Sequence, residues 1–117
     1  MYEPMVSYTL PFPPSVNTYY RRGARSTYMS KQGIAFKKAV AEIVCADPQK
    51  IEGRLSVFIS LSSPSRRKFD IDNRIKACLD ALQDAGVFDD DEQIDRLGVC
   101  RLDVDKPGFC KVVIVNT

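Results

Sequence analysis

Between residues 54 and 61 the chain alternates strictly. Leu55, Val57, Ile59 and Leu61 take every second place, with Arg54, Ser56, Phe58 and Ser60 between them. An extended strand turns alternate side chains to one face, so this segment predicts a β-strand with one side on a core. The blocks before and after it follow another period. Phe36, Ala39, Val40, Ile43 and Val44 recur at i, i+3, i+4, i+7 and i+8, and Ile75, Cys78, Leu79 and Leu82 at i, i+3, i+4 and i+7. Each set draws one apolar stripe along a helix. Segments 7–10, 97–104 and 110–115 read as the other strands. The expected fold class is α+β: one domain over residues 1–117, with two main helices on a small mixed or antiparallel sheet.

The punctuation agrees. Pro11, Pro13 and Pro14 close the first strand, since proline cannot donate to a ladder. Ser30 is placed to cap the first helix, and Asp47-Pro48 ends it. Gly86 is a C-terminal stop for the second helix, and Lys106-Pro107-Gly108 marks a turn between the last two strands.

Bulk properties exclude several classes. With 117 residues, 44% apolar and 27% charged, the chain has an ordinary globular composition. No apolar run approaches the roughly 20 residues that cross a bilayer. Met1-Tyr2-Glu3-Pro4 lacks the basic and apolar regions of a secretion signal, so a cytoplasmic protein without membrane contact is expected. Cys45, Cys78, Cys100 and Cys110 show no metal-finger spacing, and with no histidine a mixed Cys/His zinc site is excluded. The same absence removes the commonest general base, so proton transfer falls to carboxylate, lysine, tyrosine or water.

Charge is polarised along the chain. Residues 1–68 hold 11 Lys/Arg against 4 Asp/Glu, and residues 69–117 hold 6 against 11. The basic part includes Arg21, Arg22 and Arg25 beside Tyr19 and Tyr20, a mixture that can embrace a nucleic-acid backbone or equally form a solvated loop. Arg66-Arg67-Lys68 leads directly into Asp70-Ile71-Asp72-Asn73, and Asp89-Asp90-Asp91-Glu92 follows the second helix. Two acidic clusters, one beside a cationic run, fit a divalent cation acting on phosphate. If residues 70–72 are extended, Asp70 and Asp72 point the same way and can grip one ion; the alternative is that Asp72 or Asn73 caps the helix. Lys76 can stabilise charge developing on a phosphate, or pair with Asp80 at i+4. Three carboxylates from two segments would suit octahedral Mg²⁺. An EF-hand is a poor match, because Ile75 and Ala81 stand where its loop needs glycine and glutamate.

Four blocks resemble the RusA-type Holliday junction resolvases. They are Leu10-Pro11-Phe12-Pro13-Pro14-Ser15-Val16-Asn17 with Tyr19-Tyr20-Arg21, then Arg66 through Asn73, then Lys76-Ala77 with Asp80-Ala81-Leu82, and Ala85-Gly86-Val87-Phe88 with Asp90-Asp91 and Gln93-Ile94. The resemblance implies a homodimeric endodeoxyribonuclease, dependent on Mg²⁺ or its substitute Mn²⁺, that resolves four-way junction DNA by paired symmetric nicks. It implies Asp70, Asp72 and Asp91 as metal carboxylates and Lys76 as the catalytic lysine, with Asp90 and Asn73 supporting. Arg21, Arg22, Arg25, Arg66, Arg67 and Lys68 would contact DNA. Phe69 departs from the family's continued basic run and is either a wedge at the junction centre or a packed side chain. Asp89 and Glu92 are expected bystanders. The rival functions are a junction-binding protein that does not cleave and a metal-dependent phosphatase on a small substrate.

Overall fold

The computed structural model describes residues 5–16, 20–22 and 27–117, with backbone alone at 20–22, 27 and 28. In chain order the elements are β1 (Met5–Pro11), β2 (Tyr20–Arg22), β3 (Thr27–Met29), α1 (Lys31–Ala46), β4 (Leu55–Ser62), a 3₁₀ turn (Ile71–Arg74), α2 (Ile75–Asp84), a second 3₁₀ turn (Asp91–Gln93), β5 (Ile94–Arg101) and β6 (Phe109–Asn116). Strands β2 and β3 pair with each other in a separate antiparallel ladder.

The main sheet has the order β1-β6-β4-β5. Strand β6 is antiparallel to both β1 and β4, whereas β5 runs parallel to β4. A parallel pair needs a crossover, and α2 supplies it. Both helices pack on one side of the sheet, so the fold is α+β with a mixed sheet. The alternation seen in β4 is real: Leu55, Val57, Ile59 and Leu61 are buried, Phe58 is exposed, and Val112 and Ile114 of β6 continue the same inner face. From α1, Phe36, Val40 and Val44 enter this core, and from α2, Ala77, Cys78, Ala81 and Leu82. Each large side chain so buried contributes about 1.5–3 kcal/mol relative to exposure.

The helix ends are built as local chemistry requires. The Ser30 hydroxyl accepts from Gly33 N at 3.0 Å and caps α1. At the end of α2, Gly86 takes φ +87°, Gly86 N donates to Gln83 O at 3.0 Å, and Val87 N donates to Leu82 O at 3.0 Å. This is a Schellman closure. It turns Val87 and Phe88 into the core and delivers residues 89–92 to the surface.

One expectation shifts. The strand expected at 97–104 lies at Ile94–Arg101, because Leu102 and Val104 belong to a loop crossing the end of β4. There Leu102 N donates to Leu61 O at 2.8 Å and Asp105 N to Ser63 O at 3.0 Å. Strands β5 and β6, joined by the turn at Lys106-Pro107-Gly108, lie on either side of β4.

Candidate nuclease site

The crossover sorts the acidic residues to the two ends of α2. Asp70 and Asp72 precede its N-terminus, and Asp91 follows its C-terminus. Ten residues of helix span about 15 Å along the axis. Asp91 therefore does not join Asp70 and Asp72 in one cage within this chain, and among the described residues no three acidic or cysteine side chains form a metal cluster. One face of α2 links the two ends: Lys76, Asp80 and Gln83 recur at i, i+4 and i+7, and the Gln83 amide oxygen accepts from Asp91 N at 3.0 Å.

At the N-terminal end, the backbone of Asp70 is extended (φ −92°, ψ 130°), and Ile71–Arg74 then winds as a 3₁₀ turn. The rule that i and i+2 share a face holds only for a strand, so it does not apply to Asp70 and Asp72 here. The capping alternative fails as well. Asp70 holds the N-cap position of the 3₁₀ turn without a side-chain cap bond, and α2 begins after Arg74, so neither Asp72 nor Asn73 caps it. Asp70 and Asp72 are exposed and make no side-chain hydrogen bond or ion pair among the described residues. Lys76 pairs with Asp80 at 3.2 Å, the i+4 alternative, while its side chain stays half exposed.

The acidic run at the other end is divided by its surroundings. Asp89 pairs with Lys50 at 2.8 Å. Glu92 pairs with Arg54 at 3.2 Å, and the same guanidinium reaches Asp95 at 2.5 Å, which holds the Asp95 carboxyl below its ordinary range. Asp90 is a cap: its carboxylate accepts from Glu92 N at 3.0 Å, and Gln93 returns the capping box by accepting from Asp90 N at 2.9 Å. Asp91 alone of the four is left exposed with no side-chain partner among the described residues. Among the described residues, the carboxylates at these two ends with neither a cation nor a capping bond are thus Asp70, Asp72 and Asp91.

The basic run lies beside Asp70. Arg66, Arg67 and Lys68 are exposed on the loop after β4, which is fixed by Gly108 (φ +90°): a Cβ there would stand 2.8 Å from Pro64. Arg67 and Lys68, with Ser15, Ser63, Ser65 and Arg74, line a groove of about 520 Å³ floored by Phe12 and Phe69. Phe69 is packed: its ring meets Phe12 edge-on at 5.2 Å, and Arg101 stacks on it at 4.2 Å while donating to its carbonyl at 3.0 Å. The wedge would have to break these contacts, so the packed alternative describes Phe69. Arg25 lies outside the described residues, as do the side chains of Arg21 and Arg22.

The sequence assigns no role to Gln83 and Gln93, which hold the acidic turn, or to Arg74 and Arg101, which brace Phe69. For Gln93 the signal was present, since a Gln three places after Asp90 is a capping-box spacing.

A small α+β domain carrying unneutralised carboxylates beside a basic groove defines a class of protein built to act on a phosphate backbone. Residues 11–114 match the family described as endodeoxyribonuclease RusA, and the chain belongs to that family. Its relatives include the crossover junction endodeoxyribonuclease rusA of Enterobacteria phage HK97, 39% identical over 96 residues and covering 80% of each chain. The crossover junction endodeoxyribonuclease RusA of Escherichia coli (strain K12) is 38% identical over 118 aligned positions, covering 94% of this chain and 93% of the relative. The enzyme of the same name from Enterobacteria phage 82 is 38% identical and covers 92% of each.

Proposed function

We propose that this protein is a Mg²⁺-dependent endodeoxyribonuclease that resolves four-way DNA junctions by paired symmetric nicks. The observation that carries the site is the sorting of the carboxylates. Protein cations neutralise Asp89, Glu92 and Asp95, whereas Asp70, Asp72 and Asp91 have none among the described residues. Holding carboxylates near a DNA backbone repels it, unless a cation stands between them.

The donor set fits a hard cation, being carboxylate oxygen with no thiolate or imidazole beside it. A cage of three carboxylates is not required, because Mg²⁺ binds through one or two of them and fills its octahedron with waters and phosphate oxygens. Asp70 and Asp72 would hold it at the start of α2, with Asn73 offering an amide oxygen. Asp91 would act from the far end of the same helix face, positioned by Gln83 and Gln93. When bound, the cation supplies Lewis acidity at the phosphate and an activated water. Lys76, already fixed on that face by Asp80, would set a positive charge toward the leaving oxygen.

Arg66, Arg67 and Lys68 bind backbone phosphates, giving affinity for branched DNA that falls with salt. Two copies related by a two-fold axis would present equivalent sites to opposing strands of a near-symmetric junction. Asp70→Asn tests the assignment: nicking should be abolished while junction binding survives or tightens, because repulsion with phosphate is relieved. Cleavage retained by that variant would sink the metal site.

A further inference from the structure

Arg74 is a charge held partly out of water. Its Nη1 donates to the Pro13 carbonyl at 2.9 Å, and its guanidinium carbon lies 5.0 Å from the Phe12 ring centroid and 5.7 Å from that of Phe69. Its Nε is buried with no hydrogen-bond partner. No carboxylate pairs with it among the described residues, although Asp70 lines the same groove. Desolvating a guanidinium is costly, and one carbonyl and two ring contacts offset only part of that cost. Buried polar groups left unsatisfied call for a partner.

Where the guanidinium sits identifies that partner. Arg74 borders both the 520 Å³ groove and an adjoining one of about 290 Å³ lined by Ser15, Lys68, Phe69, Asp70 and Asn73. The walls offer ammonium, hydroxyl and amide groups, the set that surrounds a phosphate. A stacked base is the poorer fit. Arg101 already covers Phe69, whose ring also meets Phe12 edge-on. The single acidic wall, Asp70, is the carboxylate assigned above to the cation, and a phosphodiester bridging that cation and Arg74 would bring each charge its counterpart.

We propose that Arg74 is a DNA-binding residue that clamps a backbone phosphate next to Asp70. The basic surface thus continues past Phe69 through the first residue before α2. This inference rests on the nuclease reading. Its test is binding of a fluorescent four-way junction in EDTA, over a salt series, by the parent chain, Arg74→Met, Arg74→Gln and Arg74→Lys. Thermal unfolding of each protein is followed in parallel.

Arg74→Met should bind about tenfold more weakly at moderate salt, as loss of a charge-assisted bond predicts. Its log–log salt slope should fall by about one. Arg74→Lys should restore the slope. Both neutral variants should melt close to the parent, since they also remove a desolvated charge; Arg74→Gln, which keeps an amide donor for Pro13, carries the same binding prediction should the methionine fail to fold. An unchanged affinity and slope in a folded neutral variant, with the parent binding normally, overturns this inference alone. A parent chain that binds no junction overturns the nuclease reading and this inference with it.

Discussion

Replacing Gln93 with alanine removes three hydrogen bonds from one side chain. Its amide oxygen accepts from Asp89 N at 3.0 Å and Asp90 N at 2.9 Å, and its amide nitrogen donates to Gly53 O at 2.9 Å. A net hydrogen bond is worth about 0.5–1.5 kcal/mol, and these groups can rehydrate, so the low end applies. The three together predict a loss of about 1.5 kcal/mol. With a urea dependence of about 1.5 kcal/mol/M for a domain of this size, the unfolding midpoint should fall by about 1 M. Nicking of a junction should also fall severalfold, because the turn that presents Asp91 loses its tie to Gly53 and its capping partner. Gln93→Glu keeps the acceptor of the capping box and loses only the bond to Gly53, so it should lie between parent and alanine. A midpoint within about 0.2 M of the parent for Gln93→Ala would show that Gln93 is a surface bystander, and the argument for a fixed acidic turn would fail.

Lys76→Ala should lower the single-turnover nicking rate by about 100-fold or more, the usual cost of a lost charge-stabilising donor. Its stability should change by less than about 1 kcal/mol, since the Asp80 pair is partly exposed; a near-native rate would leave Lys76 as an ion-pair residue only. Tyr8→Phe removes a phenol that donates to Asp47 O at 2.6 Å and accepts from Gln49 N at 2.8 Å, costing about 1–2 kcal/mol at neutral pH in a denaturant titration. Burial also raises the Tyr8 ionisation above its ordinary value of 10.0. The parent should hold this contribution in full below about pH 10 and lose it as pH rises through the folded value. The Phe variant should lack that part of the alkaline decline, and identical alkaline curves would contradict it.

The elements were legible where a local period or cap encodes them. Ser30 and the stripe ending at Val44 define α1, and the alternation from Leu55 defines β4, because both depend on neighbours within a few residues. The apolar pattern of β5 runs on through Leu102 and Val104, so the sequence places the end of the strand inside a loop. That loop is held by Leu61 and Ser63, contacts about 40 residues distant in sequence. The site was legible as a list of residue types and less so as an arrangement. A run of four acids does not disclose which of them have cations, since Lys50 and Arg54 come from the loop before β4. Nor does spacing reveal that α2 separates Asp91 from Asp70. Phe69 could not be placed from sequence either, since its packing depends on Phe12, Arg74 and Arg101 from three other segments.

The central claim is most directly tested on a gel. A synthetic mobile four-way junction and a linear duplex of the same sequence are incubated with the protein in Mg²⁺ or in EDTA, and the products are mapped on both strands. Paired nicks placed symmetrically across the junction, present in Mg²⁺, absent in EDTA and absent from the duplex, are predicted. Equal cutting of the duplex, or junction cleavage that persists in EDTA, would contradict the account.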